Sequence, residues 1–276
     1  MIDYIIYSHS EFEDILQIQT DYLNDIDNKI LLINYNDREL DHIYSQYKQV
    51  IFYDDILPYA GRLLSLSELD EKYILFIHDI DIVITKDDKV INHLTDFMKD
   101  DDIDRIDLQV RHQWDFDNWN RIYTTIDNID IELRQQTNIN NYIYNVNPSI
   151  WKLNTFLDVM KTFKNETYRS IEIHSQQYCS KFNIYKLYSD QYVNCGWFSC
   201  LSFFQFLHIT HGGKLLPLLN NNLNEHLKFE YDYILSEWLS DTNRIFADRA
   251  GDVASPLILS EKVKENVEKI QYTLRK

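Results

Sequence analysis

The sequence contains little glycine and proline, with 5 Gly and 4 Pro among its 276 residues. The glycines are Gly61, Gly196, Gly212, Gly213 and Gly251, and they form neither a G-x-G-x-x-G fingerprint nor a P-loop. A glycine-rich cradle for phosphate is therefore excluded. A phosphate ligand has to be held by a metal ion or by Arg, Lys or His side chains.

Cysteine is also scarce, and long apolar runs are missing. Cys179, Cys195 and Cys200 are odd in number and include no C-x-x-C pair, so neither a zinc site nor a disulfide framework is indicated. The N-terminus lacks the features of a signal peptide, and no apolar run approaches the ~20 residues of a membrane span. These absences predict a soluble, cytoplasmic protein with reduced thiols.

Basic residues are outnumbered, since 27 Lys and Arg face 44 Asp and Glu, and the net charge is -17. The basic residues are scattered rather than concentrated, which argues against nucleic acid as a partner. An anionic ligand would need a local reversal of charge, and a bound divalent cation would provide one.

The first 85 residues alternate between short apolar runs and polar stretches. Four runs predict strands buried on both faces: residues 3–7, 30–33, 50–53 and 73–77. Three stretches between them predict helices: residues 11–24, 37–47 and 58–71. This alternation predicts an α/β fold, with a Rossmann-like, mostly parallel sheet and helices on both faces.

Ligands of such sheets bind at the carboxyl ends of the strands. The polar residues at these ends are Ser8 and His9, 34–37, Asp54 and Asp55, and 78–81. We therefore expect the functional site to form there.

The order loosens after residue 85. Strands are predicted at 103–110, 142–146, 184–188 and 203–209. Helices are predicted at 87–99, at 148–161 with Pro148 in the first turn, and at 168–181, 225–239 and 255–274. Gly212 and Gly213 predict a turn. No linker interrupts the chain, so the prediction is a single domain over residues 1–276.

Two aspartates two residues apart follow the most hydrophobic predicted strand. If the strand stays extended, Asp79 and Asp81 point to the same face. Two hard oxygen ligands on one side suit Mg²⁺ or Mn²⁺, with substrate phosphates completing the coordination shell. The alternative is that both residues simply end a strand at the surface, since such triplets are common in an acidic chain.

Two other interpretations of the aspartates each require particular residues around Asp79. An EF-hand loop starting at Asp79 requires Gly at its sixth position and Glu at its twelfth, but Ile84 and Val90 stand there. A haloacid-dehalogenase-type phosphatase remains open, because "LFIHDIDIV" matches the first motif of that family apart from His78. That motif normally ends the first strand of the fold, whereas here it follows three strand-helix units.

The segment "YAGRLLSLSELDEKYILFIHDIDIVI" resembles the central stretch of glycosyltransferases with the GT-A fold, where an Arg-bearing helix precedes a strand ending in D-x-D. The resemblance implies that Arg62 contacts the phosphate or sugar of a nucleotide-sugar donor, with a UDP-sugar favoured. It implies that Asp79 and Asp81 hold Mn²⁺ or Mg²⁺ beside this donor. Ser8 and Asp37 are positional candidates for contacts to the nucleoside.

The resemblance is weaker in the later part of the sequence. "YIYNVNPSIWKLNTFLDVM" and "YRSIEIHSQQY" are similar to the acceptor region, which implies Glu172 as general base and Trp151 as a surface for stacking on a sugar. An exposed helix carboxylate and a core tryptophan are the alternatives. "FLHITHGGK" is similar to the C-terminal loop, which implies His211 as a metal ligand and Lys214 as a phosphate contact. His208 is expected to be packed or hydrogen-bonded.

The resemblance implies sugar transfer from a nucleotide diphosphate to a glycan or another hydroxyl acceptor, with a nucleotide-sugar-binding half at 1–110 and an acceptor-binding half at 111–276. A noncatalytic glycan-binding protein is a further alternative, because aromatic residues cluster at Trp114, Phe116, Trp119 and Tyr123. The oligomeric state is not predicted.

Overall fold

The structure is a computed structural model that describes residues 2–35, 39–110, 120–126, 129–137, 143–189, 191–195, 198–211, 214–215 and 224–241. The side chains of residues 126, 129, 211, 214, 215 and 236–241 lie outside this description. No helix in the described part of the chain is long and apolar enough to cross a membrane.

The described strands are β1 (Asp3–Tyr7), β2 (Lys29–Asn34), β3 (Gln49–Tyr53), β4 (Tyr73–His78), β5 (Asp81–Lys86), β6 (Arg105–Val110), β7 (Arg121–Ile126), β8 (Ile129–Gln135), β9 (Ser149–Lys152), β10 (Ile184–Tyr188), β11 (Val193–Cys195), β12 (Phe198–Cys200), β13 (Phe204–His208), β14 (Thr210–His211) and β15 (Lys214–Leu215). The α-helices are α1 (Glu13–Tyr22), α2 (Asp41–Tyr44), α3 (Tyr59–Leu63), α4 (Asp88–Asp100), α5 (Leu153–Thr162), α6 (Tyr168–His174), α7 (Gln176–Cys179) and α8 (Glu225–Asp241). Two 3₁₀ helices occupy Ser10–Phe12 and Leu64–Glu68.

One large sheet organises the molecule, with the strand order β3-β2-β1-β4-β9-β6-β10-β8-β7. The first four strands of this order are parallel to their neighbours. Strand β9 runs antiparallel between β4 and β6, and β10 returns to a parallel pairing with β6. Along this path only β9 and β8 run antiparallel to the other strands, so the sheet is mostly parallel.

Both faces of the sheet are buried. Within β1, Tyr4 and Ile6 join one hydrophobic cluster and Ile5 joins the other. Helices α1, α2 and α4 cover the first face, while α3, α5 and α6 cover the second. The predicted fold class, an α/β fold with helices on both faces, is confirmed, because strands buried on both sides need an apolar layer on each.

The prediction of a helix opened by Pro148 is wrong at its start. Residues 149–152 form β9 between β4 and β6, and α5 begins only at Leu153. Ile150 and Trp151 are 0% and 1% exposed, so burial in the middle of the sheet outweighs the helix-starting preference of proline.

The predicted strand at 142–146 is also wrong over its described part, residues 143–146. Its backbone groups bond to side chains instead of a neighbouring strand. Arg105 donates to the carbonyls of Ile143 and Asn145, and the amide of Val146 donates to Glu172. The predicted helix at 168–181 is divided into α6 and α7 at Ser175. The predicted turn at 212–213 and the helix at 255–274 lie outside the described residues.

Candidate functional site

Polar side chains that follow β1, β2 and β3 meet at the carboxyl edge of the sheet. The backbone N–H of Ser10 donates to Asn34 Oδ1 at 2.7 Å, and Asn34 Nδ2 donates to Asp55 Oδ2 at 2.9 Å. His9 Nε2 lies 3.1 Å from the same Asp55 oxygen. The expectation that the strand ends share one edge is confirmed for these residues. Asp37 lies outside the described residues.

Asp79 lies at the end of β4 beside the end of β1. Its backbone N–H donates to the carbonyl of Tyr7 at 3.0 Å, and its Oδ2 accepts a hydrogen bond from Ser8 Oγ at 2.5 Å. The side chains of both Ser8 and Asp79 are buried, with Asp79 5% exposed. Ser8 therefore fixes the direction of the first aspartate.

Asp81 belongs to a different sheet from β4. Asp79 and Ile80 form a turn, after which β5 pairs with β13 outside the main sheet. The expectation of one extended strand through both aspartates is therefore wrong. In the new pairing Asp81 lies opposite His208, and His208 Nδ1 is 2.6 Å from Asp81 Oδ1. The expectation of a hydrogen-bonded His208 is confirmed.

Both aspartates are buried carboxylates, the hard oxygen donors that a divalent cation prefers, although only Asp79 lines the cleft described below. Among the described residues, no three His, Cys, Asp or Glu side chains are grouped as metal ligands. Mg²⁺ is usually held by one or two carboxylates together with substrate phosphates. The assignment of Asp79 and Asp81 as ligands of a divalent cation stays a prediction.

A cleft of about 260 Å³ opens beside Asp79 at this edge. It is lined by strand ends of β1 and β4 and by residues from the neighbouring helices: Tyr7, Ser8, His9, Glu11, Phe12, Arg62, His78, Asp79, Ile80 and Tyr168. The lining combines aromatic rings with charged and hydroxyl groups. Such a mixture suits a ligand with a ring system and a polar end.

Arg62 reaches this cleft from α3 and is held by the loop after β3. Its Nε donates to the carbonyl of Leu57 at 2.8 Å and its Nη2 to the carbonyl of Asp55 at 2.9 Å. Its guanidinium also lies 5.2 Å from the centroid of the Tyr53 ring. These contacts orient the cation at the cleft, and its contact with a donor stays a prediction.

His78 lines the cleft and immediately precedes Asp79 in the chain. Its Nε2 is 2.7 Å from the hydroxyl of Tyr59. Burial is the main reason why the pKa of His78 is lowered to about 3, with nearby His208 adding to the effect. The imidazole is therefore neutral at physiological pH.

Glu172 lies on α6, one turn after Tyr168, which lines the cleft. Its Oε1 accepts a hydrogen bond from the Val146 N–H at 3.0 Å, and burial raises the pKa of its carboxyl group. Glu172 does not itself line the cleft. Its assignment as general base stays a prediction.

Trp151 is placed where it cannot stack on a ligand. It is 1% exposed within β9, and its ring packs against the Arg105 guanidinium, 4.8 Å from the ring centroid, and against Phe156. Its Nε1 donates to Ser149 Oγ. The sequence-based role in acceptor binding is replaced by core packing, because Trp151 lies in a central strand.

The last two candidates follow β13. His211 ends β14 and Lys214 begins β15, so a tight antiparallel pair brings their backbones opposite each other. Their side chains are outside the described set, and their roles stay predictions. The sequence places Asn34 and Asp55 among the polar strand ends but predicts no role for either, and it does not single out Tyr168.

No protein-family model and no curated protein matches the sequence. Among solved structures, the chain is similar to UDP-glucose pyrophosphorylase complexed with UDP-glucose, at 9% identity over 67% of this chain and 90% of that chain, with a TM-score of 0.42. It is also similar to S. aureus TarS, at 12% identity over 99% of this chain and 78% of that chain, with a TM-score of 0.43. Similarities this distant do not establish what the chain binds.

Proposed function

We propose that this protein is a divalent-metal-dependent glycosyltransferase that moves a sugar from a nucleotide-diphosphate donor, with a UDP-sugar favoured, to a hydroxyl acceptor. The observation that supports it most is the buried carboxylate of Asp79 in a cleft at the carboxyl ends of the parallel strands β1 and β4, with buried Asp81 two residues further along the chain. Open α/β sheets bind their ligands at this edge.

The acidic chain needs a positive charge where a diphosphate binds. Arg62 supplies one at the cleft, and Asp79 and Asp81 would hold Mn²⁺ or Mg²⁺, with His211 as a further ligand and Lys214 as a phosphate contact. When bound, such a cation stabilises the negative charge of a departing diphosphate. Ser8 orients Asp79 and, with Asp37, would contact the nucleoside.

Glu172 is the proposed general base. In an inverting transfer, the acceptor hydroxyl gives its proton to Glu172 while its oxygen bonds to the sugar and the bond from the sugar to the diphosphate breaks. The raised pKa of Glu172 supports this role, because a base with a pKa closer to neutrality binds the proton more readily. Its helix also contributes Tyr168 to the cleft.

The phosphatase alternative has less support. A haloacid-dehalogenase-type site pairs its aspartates with a lysine, and no lysine is among the described residues that line the cleft. The glycan-binding alternative relied mainly on Trp114, Phe116 and Trp119, which lie outside the described residues. Tyr123, the fourth aromatic residue, is exposed on β7.

The deciding experiment is thermal unfolding with UDP, GDP, CMP and their common sugar conjugates, each with and without Mn²⁺. A nucleotide at ~100 times its dissociation constant adds roughly 2.7 kcal/mol of stability, which corresponds to roughly 5 to 10 °C in a chain of this size. We expect a shift that requires one nucleotide diphosphate together with Mn²⁺. A folded sample that no nucleotide stabilises would contradict the proposal.

Two variants make the experiment specific to the metal assignment. Asp79→Asn should lose the Mn²⁺-dependent part of the shift and all transfer to sugar acceptors, because an amide is a far weaker cation ligand than a carboxylate. Asp96→Asn removes an exposed carboxylate that pairs with Lys99 on α4, and it should behave like the wild type. Equal Mn²⁺ dependence in both variants would show that Asp79 does not hold the cation.

A further inference from the structure

Aromatic rings surround the imidazole of His78, and two of them, Tyr7 and Tyr168, line the cleft with it. The ring of His78 has its centroid 5.3 Å from those of Tyr7 and Phe76, 5.4 Å from that of Tyr168 and 5.7 Å from that of Tyr59. His78 is 3% exposed and still lines the cleft. The imidazole therefore lies among aromatic rings, three of which are tyrosines that carry a hydroxyl group.

The two nitrogens of this imidazole have different surroundings. Nε2 is bonded to the hydroxyl of Tyr59, which is itself buried. Within the described part of the chain, no group forms a hydrogen bond with Nδ1. Nδ1 is not one of the described side-chain atoms that are fully enclosed without a partner, so it is open to a ligand in the cleft that His78 lines.

We propose that His78 is a further binding residue of the donor site, and that its Nδ1 forms a hydrogen bond with a hydroxyl group of the nucleotide-sugar. This inference depends on the function proposed above. Aromatic rings beside an accessible ring nitrogen suit a sugar, whose C–H groups pack on aromatic faces while a hydroxyl bonds to the nitrogen. A phosphate would instead select the guanidinium of Arg62, which also lines the cleft.

The hydroxyl belongs either to the ribose or to the transferred sugar. Three probes separate these sources: UDP, deoxy-UDP, which lacks one ribose hydroxyl, and UDP-glucose, which adds a sugar. Each is titrated calorimetrically against the 276-residue chain in Mn²⁺ at one neutral pH.

Glutamine and asparagine make a matched pair of substitutions, because each reproduces one imidazole nitrogen. In His78→Gln the amide reaches the position of Nε2, so the Tyr59 contact is kept and the cleft-facing atom is lost. In His78→Asn the amide takes the position of Nδ1, so the cleft-facing atom is kept. Thermal unfolding without ligand checks that both variants are folded, and Tyr59→Phe measures the effect of losing the other contact.

We expect His78→Gln to weaken binding by about three- to tenfold, the contribution of one neutral hydrogen bond, while His78→Asn stays close to the wild type. If His78→Gln loses affinity for UDP but not for deoxy-UDP, the hydroxyl that bonds to Nδ1 is the ribose hydroxyl that deoxy-UDP lacks. If the variant loses affinity equally for UDP and deoxy-UDP, the hydroxyl that bonds to Nδ1 is the other ribose hydroxyl, which both probes carry. A loss confined to UDP-glucose assigns the sugar.

Two results would overturn the inference while leaving the proposed function intact. One is wild-type affinity of His78→Gln for all three probes. The other is an equal loss in the Gln and Asn variants, which would show that His78 only packs. If the wild-type protein binds neither UDP nor UDP-glucose, the UDP-sugar assignment fails, and this inference fails with it.

Discussion

At the scale of single residues, each proposed functional carboxylate has a partner that fixes its direction. Ser8 donates to Asp79, His208 bonds to Asp81, and the Val146 N–H donates to Glu172. Groups held in this way lose little freedom when a ligand binds, which favours a preorganised site. The partners come from positions far apart in the chain, so no local motif could reveal them.

Glu172→Gln tests whether Glu172 is held in an unfavourable ionised state. Burial raises the pKa of Glu172 in the folded protein. The protonated carboxyl group of Glu172 therefore contributes its whole stabilisation of the folded protein below the pKa of the unfolded state, about 4.3. This contribution is lost as the pH rises through the pKa of the folded state. Glutamine stays neutral and keeps the acceptor for Val146, so at neutral pH the variant should melt a few degrees higher than the wild type.

This gain should vanish as pH falls towards the unfolded pKa, and sugar transfer should be lost at every pH. Glu166→Gln is the matched control, because hydrogen bonds from Ser170 and His174 lower the pKa of Glu166. The control should show no stability gain at neutral pH. Melting curves across pH measure both effects, and a Glu172 variant no more stable than the wild type would contradict the expectation.

At the scale of secondary structure, the pairing of β5 with β13 decides the geometry around Asp81. The turn at 79–80 takes the chain out of the main sheet, and β13 returns from more than a hundred residues later to place His208 opposite Asp81. The start of α4 stabilises this arrangement. The backbone N–H of Asp87 donates to the carbonyl of Phe203, and its side chain accepts from Lys89 N at 2.9 Å.

Asp87→Ala should therefore destabilise the folded protein by about 1 kcal/mol, because it removes the N-cap of α4. A chain of this size should then melt roughly 2 to 4 °C lower, as measured by circular dichroism. Asp87→Asn is the control, since asparagine caps helices about as well as aspartate. Equal melting temperatures for the Ala and Asn variants would show that the cap contributes nothing.

At the scale of the whole molecule, the two hydrophobic clusters enclose every cysteine. Cys179 lies in one cluster, while Cys195 and Cys200 lie in the other, and all three thiols are buried. Burial raises the pKa of Cys179 to about 11 and holds that of Cys200 well above its usual range. Neither thiol has much thiolate at neutral pH, and both are shielded from solvent.

The thiols should therefore react with a disulfide reagent such as Ellman's reagent only when the whole domain opens. We expect less than one fast-reacting thiol in the native protein and three in guanidinium. The native rate should follow global stability, so it should rise in Asp87→Ala and not in Asp87→Asn. Rapid labelling of the native wild type would show that one cluster opens locally.

The sequence by itself determined much of the first half of the fold. Strand β1 has the predicted bounds, and β2, β3 and β4 differ by one or two residues at their ends. Continuous apolar runs specify these strands because both faces of a parallel sheet are buried. The same pattern located the polar strand ends, including Ser8 and the aspartates after β4.

Only the tertiary structure decided how those residues are used. It placed Pro148 before a central strand, buried Trp151, and separated Asp79 from Asp81 by a turn between two sheets. It also brought His208 to Asp81 and Tyr168 to His78. Local sequence cannot specify such contacts, because they depend on strand order and helix placement, which are set by burial summed over the whole chain.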